Sequence, residues 1–454
     1  MNERVTFVTQ SSRAADNVAF SPERLLNVYP ESAPEGAKGV LLLRSQLGTQ
    51  LVVDLEIGAL RAIIELNDIV YAVGSSKLFS INSNGDISEL GDVDDDPLTT
   101  MSSHGDNITI TANGNYYVWD GSALTEPTGG AFPFSGSVTY IDQRSILSQL
   151  DGDQFQWTDI SNPKSLDPLN FATNESRNDK TLRALADRRE VWFFGTQSIE
   201  IWYNTGQGGA DAFARINGGA LDTGCLGTLL SVKMDEGIFF IGDDRIAYIT
   251  SGLGIRQIST PAVEQALEAS IPTHCFYFED RGHKFFAIRF DDRPAWVFDL
   301  ATGLWHERSS GVSHGPWDVI TTVKAFGVWF AGTSRGQILR MGRFNEDFNG
   351  PLRRTAVSRS LYMNGNQFSV SELEFLGRIG ESDLGRDAEV MARFSKDGGR
   401  TWSLEEKRSL GDIGNRTRYA VYRALGTYRD FSVEFSITDP ADISMYSSAN
   451  VRIS

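Results

Sequence analysis

Few residues in this chain have types and spacing that could do chemistry, and the clearest set is SKDGGRTWS at 395–403. It fits an S-x-D-x-G-x-T-W turn, or Asp box. Asp397 would accept turn amides beside Ser395, Gly399 would allow a bend at positive φ, and Trp402 would pack beneath. The match is strong as a hairpin brace and weak as a function. A second candidate is the charged run Trp305-His306-Glu307-Arg308. At the end of an amphipathic strand it reads as a blade closure, with Glu307 and Arg308 paired across strands. The acidic turn DVDDDP at 92–97 could hold a cation on Asp92–Asp96. It lacks the ligand spacing and bidentate Glu of a dedicated calcium loop, so a solvated turn is the competing reading.

The remaining reactive residues form no constellation. His104, His274, His283, His306 and His314 fall in no HxH or HExxH spacing. Cys225 and Cys275 lie in no CxxC and read as small buried hydrophobes of a reduced protein. No G-x-S-x-G elbow, Walker loop or dinucleotide fingerprint is present. With 59 acidic residues, carboxylate pairs fall everywhere and none stands out for acid–base work. The expectation is a non-enzyme with no catalytic residue, no cofactor and no metal.

The elements that would position these groups are strands. Residues 281–308 read as three of them, at 284–290, 295–300 and 304–308, joined by the turns DDRP and ATG. The pattern recurs along the chain. Val70, Ile108, Ile146, Trp192, Phe239, Phe285 and Trp329 occupy equivalent positions, at steps of 38, 38, 46, 47, 46 and 44 residues. Such a period, with several short strands per unit, is the signature of a β-propeller, because one blade cannot bury both faces alone. The fold class is therefore all-β: a propeller of about seven blades, six being the alternative, followed by a β-sandwich-like module. A large irregular sandwich is the duller reading, and no WD or kelch signature recurs.

Three segments follow: an N-terminal arm at 1–38, the propeller at 39–350, and the sandwich at 351–454 with the Asp-box turn. Strands at 39–44 and 50–56 could supply the closing strand of a blade. In the last segment strands are expected at 370–376, 388–395, 418–425 and 431–437. One good helix is expected at IRQISTPAVEQALEAS, capped by Thr260, opened by Pro261, with Val263, Ala266 and Leu267 on one face.

Hydrophobic residues make up 41% of the chain, with nine Trp and 27 Phe, which is ample for a globular core. The formal charge is −17, the opposite of what gripping a phosphate backbone requires. The N-terminus has no apolar signal region, and no stretch approaches 18 uninterrupted apolar residues, so no membrane span is expected. The expected site of synthesis is a cytoplasm.

Several motifs then come in one order: FQWTDISNPKSLDPLNFATNES, WFFGTQSIEIWYNTG, LDTGCLG, IRQISTPAVEQAL, GHKFFAI and WVFDLATGLWHERSS. That order, over roughly 160 residues and with the opening RLLNVYPES, resembles the packaged-DNA stabilization proteins of short-tailed bacteriophages, the tail-hub or nozzle family. The residues that carry the resemblance are Trp157, Phe171, Trp192, Glu200, Trp202, Asn204, Cys225, Trp305, His306, Glu307 and Arg308. The resemblance implies a virion protein made in the bacterial host, generally a hexameric ring below the portal and adaptor. It implies further contacts with tail needle, fibre or spike proteins. Such a ring retains packaged double-stranded DNA and conducts it, without sequence-specific binding, during ejection. An acidic lumen suits that role, since each basic contact would act as a brake. The rival is an Asp-box glycan-binding or glycosidase-type propeller, of which sialidases are the model. Only one box is present, it lies outside the repeats, and FARI at 213–216 lacks the Pro of the sialidase segment.

Overall fold

A computed structural model describes residues 2–6, 12, 22–33, 41–177, 179–380, 382, 384–415, 419–441 and 444–453. Parts of the expected arm, at 1, 7–11, 13–21 and 34–38, residues 39–40 of the strand expected at 39–44, and Arg418 of another expected strand lie outside the described residues.

Seven four-stranded antiparallel blades form the propeller, six of them separate sheets and the sixth in order part of a larger one. Blades 1 to 6 span 60–92, 100–125, 135–173, 181–221, 231–257 and 272–308. Blade 7 takes three strands from 319–342 and its outermost strand, Gly48–Asp54, from the other end of the chain. The seven aligned positions from Val70 to Trp329 all fall in the second strand of a blade. Each first strand packs against the first strand of the next blade, and that of blade 7 packs against blade 1, closing the ring. Hairpins form where the sequence has turn chemistry. Asn113 and Gly114 join two strands of blade 2 with φ of 51° and 88°, values that Asn and Gly tolerate best.

The core is a set of wedges between blades. Trp192, Phe194, Phe239, Phe286, Trp296 and Trp305 fill the space around blades 4, 5 and 6. Phe155, Trp157, Phe193 and Trp202 do so between blades 3 and 4. Fully burying one such aromatic contributes roughly 2–3 kcal/mol, so seven shared wedges hold the ring without a central core. The helix α1 (Pro261–Ala269) packs Ala262, Val263, Ala266 and Leu267 into the blade 5–6 wedge. Thr260 has the extended backbone of a cap, but its hydroxyl makes no capping bond.

A second module packs two sheets over a core that includes Phe368, Leu373, Tyr422, Phe431, Phe435 and Val451. One sheet orders Asn2–Thr6, Ser448–Ile453, Phe368–Glu374 and Val421–Tyr428. The other holds Arg354–Val357, Asp430–Ile437, Ala388–Ser395 and Glu406–Gly411, and it does not stop there. Its Arg354–Val357 strand pairs with Arg24–Leu26, which pairs in parallel with Leu304–Arg308 of blade 6. One ten-stranded sheet thus runs from the propeller into the sandwich. Residues 22–33 and 41–54 are distributed over both modules: Leu25, Val28 and Leu43 enter the sandwich core, and Gly48–Asp54 completes blade 7.

Candidate functional site

A buried polar cluster lies where this sheet crosses between modules. Asn27 sits in the left-handed region with φ of 58° and is fully buried. Its backbone N–H donates to Glu307 O at 2.9 Å, and its carbonyl accepts from Gln46 N at 2.9 Å. The side-chain Nδ2 donates to Arg353 O (2.7 Å) and Ser309 Oγ (3.0 Å). Oδ1 accepts from Ser309 N (2.8 Å) and Arg308 Nη1 (3.2 Å). Every polar group of the residue is used, which is what burial of an amide requires.

Around it lie the residues singled out at the end of blade 6. Trp305 donates its indole N–H to Ile258 O across to blade 5 at 2.8 Å. His306 is fully buried against the Gln46 amide, and burial drives its pKa down to about 3, so the ring is neutral. Glu307 and Arg308 are both paired across strands, but to separate partners. Glu307 takes a two-point bond from Arg24, at 2.6 and 2.7 Å, and a third from Ser12 Oγ at 3.1 Å. Arg308, 1% exposed in its side chain, pairs with Asp347 at 2.7 Å and donates to Leu47 O. Its guanidinium also lies 5.0 Å from the centre of the Trp317 ring. Adjacent residues of a strand point to opposite faces, so the two charges stitch different layers. His314 lies beside the same cluster, near Ser309 and Thr355, and burial lowers its pKa to about 3.

Other signature residues are spread over the ring. Trp157 and Trp192 are buried in inter-blade wedges, and Trp202 donates to Asn174 Oδ1 at 3.0 Å. Glu200 is buried 3.5 Å from Arg215 and accepts from the Ser176 amide. Asn204 links blade 4 to Asp142 of blade 3 at 3.0 Å. Cys225 and Cys275 are buried free thiols, and burial pushes Cys225 up to about 11. Phe171 is 38% exposed on the outer strand of blade 3. These positions are not gathered into one pocket.

The Asp-box turn lies on the far hairpin of the sandwich. Asp397 Oδ1 accepts from Ser395 Oγ (2.7 Å), Arg400 N (3.0 Å) and Thr401 N (2.9 Å), and Oδ2 from Thr401 Oγ1 (2.6 Å). The Thr401 bonds, with the others, hold the carboxyl down at about 2. Gly399, φ 92°, donates its amide to Ser395 Oγ at 2.8 Å. Trp402 is half-buried and covered by the Arg393 guanidinium at 5.3 Å. The box spends its acceptors on its own turn, leaving little for a ligand.

In the acidic turn, Asp94 accepts from Asn115, Asp95 pairs with Arg61 at 2.8 Å, and Asp96 accepts from the Asn113 and Leu98 amides. Among the described residues no group of three or more His, Cys, Asp or Glu gathers as a metal site, and no helix is long and apolar enough to cross a membrane. Charge is also used between blades: Lys284 of blade 6 binds Asp235 and Glu236 of blade 5, and Lys324 of blade 7 binds Glu279 of blade 6. The junction partners Arg24, Asn27, Gln46 and Asp347 escaped sequence reasoning; the one signal was the run RLLNVYPES, which contains two of them.

Comparison with known proteins gives two adjoining matches. A family model described as "Bacteriophage P22 Gp10, beta-propeller" matches residues 7–348. A second, "Bacteriophage P22 Gp10, beta-sandwich", matches residues 353–454. No curated protein sequence matches the chain. Among solved structures, a chain of "Crystal Structure of Mitotic Checkpoint Complex" is similar, at 13% identity and a TM-score of 0.44. The match covers 68% of this chain and 96% of that one, and carries no functional argument.

Proposed function

Because the chain belongs to the bacteriophage P22 Gp10 family of phage structural proteins, we propose that copies of it form a tail nozzle ring, six-membered as the resemblance implies. The ring sits below the portal and adaptor, retains packaged double-stranded DNA and encloses its exit path. The segments proposed for this work are 1–38, 39–350 and 351–454, and no catalytic step is part of it. In this reading needle, fibre or spike proteins join the ring.

The observation that carries the proposal is the continuous sheet joining propeller to sandwich. A wall around pressurised DNA must not flex at a domain boundary, and a linker of ordinary interface quality would let the modules move. Here the boundary is made of strand pairing and buried ion pairs instead. The propeller axis cannot itself be the conduit. Its cavity is about 180 Å³, whereas the major groove of a duplex alone is about 12 Å wide. The lumen must therefore lie between copies, with the net charge of −17 disfavouring adhesion of the phosphate backbone.

The test is the mass of the purified protein in solution, alone and with a portal–adaptor complex, followed by imaging. A ring with an open central channel, docked on the adaptor, is the expected result. A monomer that never joins the portal sinks the proposal.

A further inference from the structure

The cavity on the propeller axis is lined from six of the seven blades, by Arg61, Thr100, Arg183, Ser231, His274 and Thr321 among others. In a chain of formal charge −17, no Asp or Glu is among its lining residues. Two of the groups, Ser231 and His274, have buried polar atoms without partners, and a third, Arg183, lacks a carboxylate counter-ion among the described residues. Arg183 donates through Nη1 to Thr228 O (3.1 Å) and Ser231 O (2.8 Å). No carboxylate contributes to its electrostatic surroundings. Ser231 is fully buried, and its hydroxyl has no partner within the protein. His274 Nδ1 is likewise buried and unpartnered.

Burial lowers Arg183 to about 10, which still leaves it charged at neutral pH. Burial, with Arg289 and Arg61 nearby, lowers His274 to about 4, so the imidazole is neutral and carries one N–H. Arg61 has a counter-ion, Asp95, but Asp95 is not part of the lining.

What is missing is acceptors and negative charge. A half-buried cation without a counter-ion is costly, and water would serve the hydroxyl and the imidazole without neutralising the guanidinium. Guanidinium, hydroxyl and imidazole donors converging from several directions match a ligand with several charged oxygens. A cavity of about 180 Å³ corresponds to about six water volumes, room for a tetrahedral ion and its bridging waters. We infer that the propeller axis is a binding site for a small tetrahedral oxyanion of the phosphate or sulfate class. Bound there, the ion ties first strands of opposite blades to one another.

Equilibrium dialysis of the intact protein against labelled inorganic phosphate, at fixed ionic strength, tests this directly. One saturable site per chain, displaced by sulfate, is expected. Arg183→Met should weaken it by about tenfold or more, the scale of one lost charge-assisted contact. Because Arg183 also joins blades 4 and 5, Ser231→Ala and His274→Gln serve as gentler variants, expected to weaken binding severalfold with unchanged circular dichroism. Phosphate should also raise the melting temperature of the wild type more than that of Arg183→Met. Absence of saturable binding by the wild type overturns the inference. So does binding that the two gentler variants leave unchanged while folding as the wild type does.

Discussion

Two hubs in this molecule are built on the same chemistry and differ in reach. At the Asp box, Asp397 saturates itself with donors from residues 395 to 401, all within one hairpin. At the junction, Asn27 accepts from Arg308 and Ser309, 281 and 282 residues away, and donates to the carbonyl of Arg353, 326 residues away. The first hub braces a turn that is largely exposed, and the protein around it would stand without it. The second is buried and joins propeller, sandwich and N-terminal segment at one residue. An Asx side chain thus contributes according to what it holds together, not according to how many bonds it makes.

The comparison can be broken most decisively at Arg308. Arg308→Met strands the buried Asp347 carboxylate, and breaking such a pair costs about 3–5 kcal/mol. Thermal unfolding should show a large drop, with propeller and sandwich transitions separating. A shift no larger than that of an Asp-box variant would end the distinction. Asn27→Ala comes next: it leaves the Ser309 amide and the Arg353 carbonyl buried without partners and keeps a non-glycine residue at φ 58°. A loss of about 3 kcal/mol is expected, read by faster proteolysis within residues 22–54 as well as by melting.

Acid should find the junction too. His306, held neutral by burial with a folded pKa of about 3, takes up a proton on unfolding at about 6.5. Its contribution is fully present above pH 6.5 and is lost as pH falls from there toward 3, with His314 acting in the same direction. His283, raised by its hydrogen bond to Asp299, works oppositely: its contribution is present at low pH and lost as pH rises through the raised value. Denaturant midpoints between pH 7.5 and 5 should fall for the wild type and fall less steeply for His306→Gln, in which the lowered His314 and His274 remain. The smallest effect is expected at the box, where Asp397→Asn should cost about 1 kcal/mol. Its pH signature also lies lower, since a carboxyl depressed from 3.8 to about 2 stabilises above 3.8 and ceases to as pH falls through 2. The variant should be flat over that range, with assembly unaffected.

What was legible in the sequence follows the same division. Blades were readable because each repeats a local pattern, and Val70 through Trp329 mark the same strand in all seven. The closing strand was foreseen near 50–56 and falls at Gly48–Asp54. The helix from Pro261 was readable from its cap and apolar face, although the Thr260 hydroxyl does not cap it. At the Asp box the expected amide bonds to Asp397 and the positive φ of Gly399 are present, whereas the hydroxyl bonds of Ser395 and Thr401 were not foreseen. The junction was not readable: pairing of Glu307 and Arg308 across strands was expected, but the partners Arg24 and Asp347 lie 283 and 39 residues away in sequence, beyond the reach of a local pattern. Nor could Arg183, Ser231 and His274 be related, since only ring closure brings their strands to one axis.

The dispersed pairing of the first fifty residues also sets a timetable. Synthesis runs from the N-terminus, and domains usually fold as they emerge. Here Gly48–Asp54 must wait for Gln337–Gly342, and Arg24–Leu26 for Arg354–Val357. Asn2–Thr6 must wait for Ser448–Ile453. These three strands are thus made long before their partners, although Val28–Ser32 and Leu41–Ser45 can pair at once. Both modules close only once Arg354–Val357, Gln337–Gly342 and Ser448–Ile453 have been made, so a chain lacking them carries unpaired strand edges.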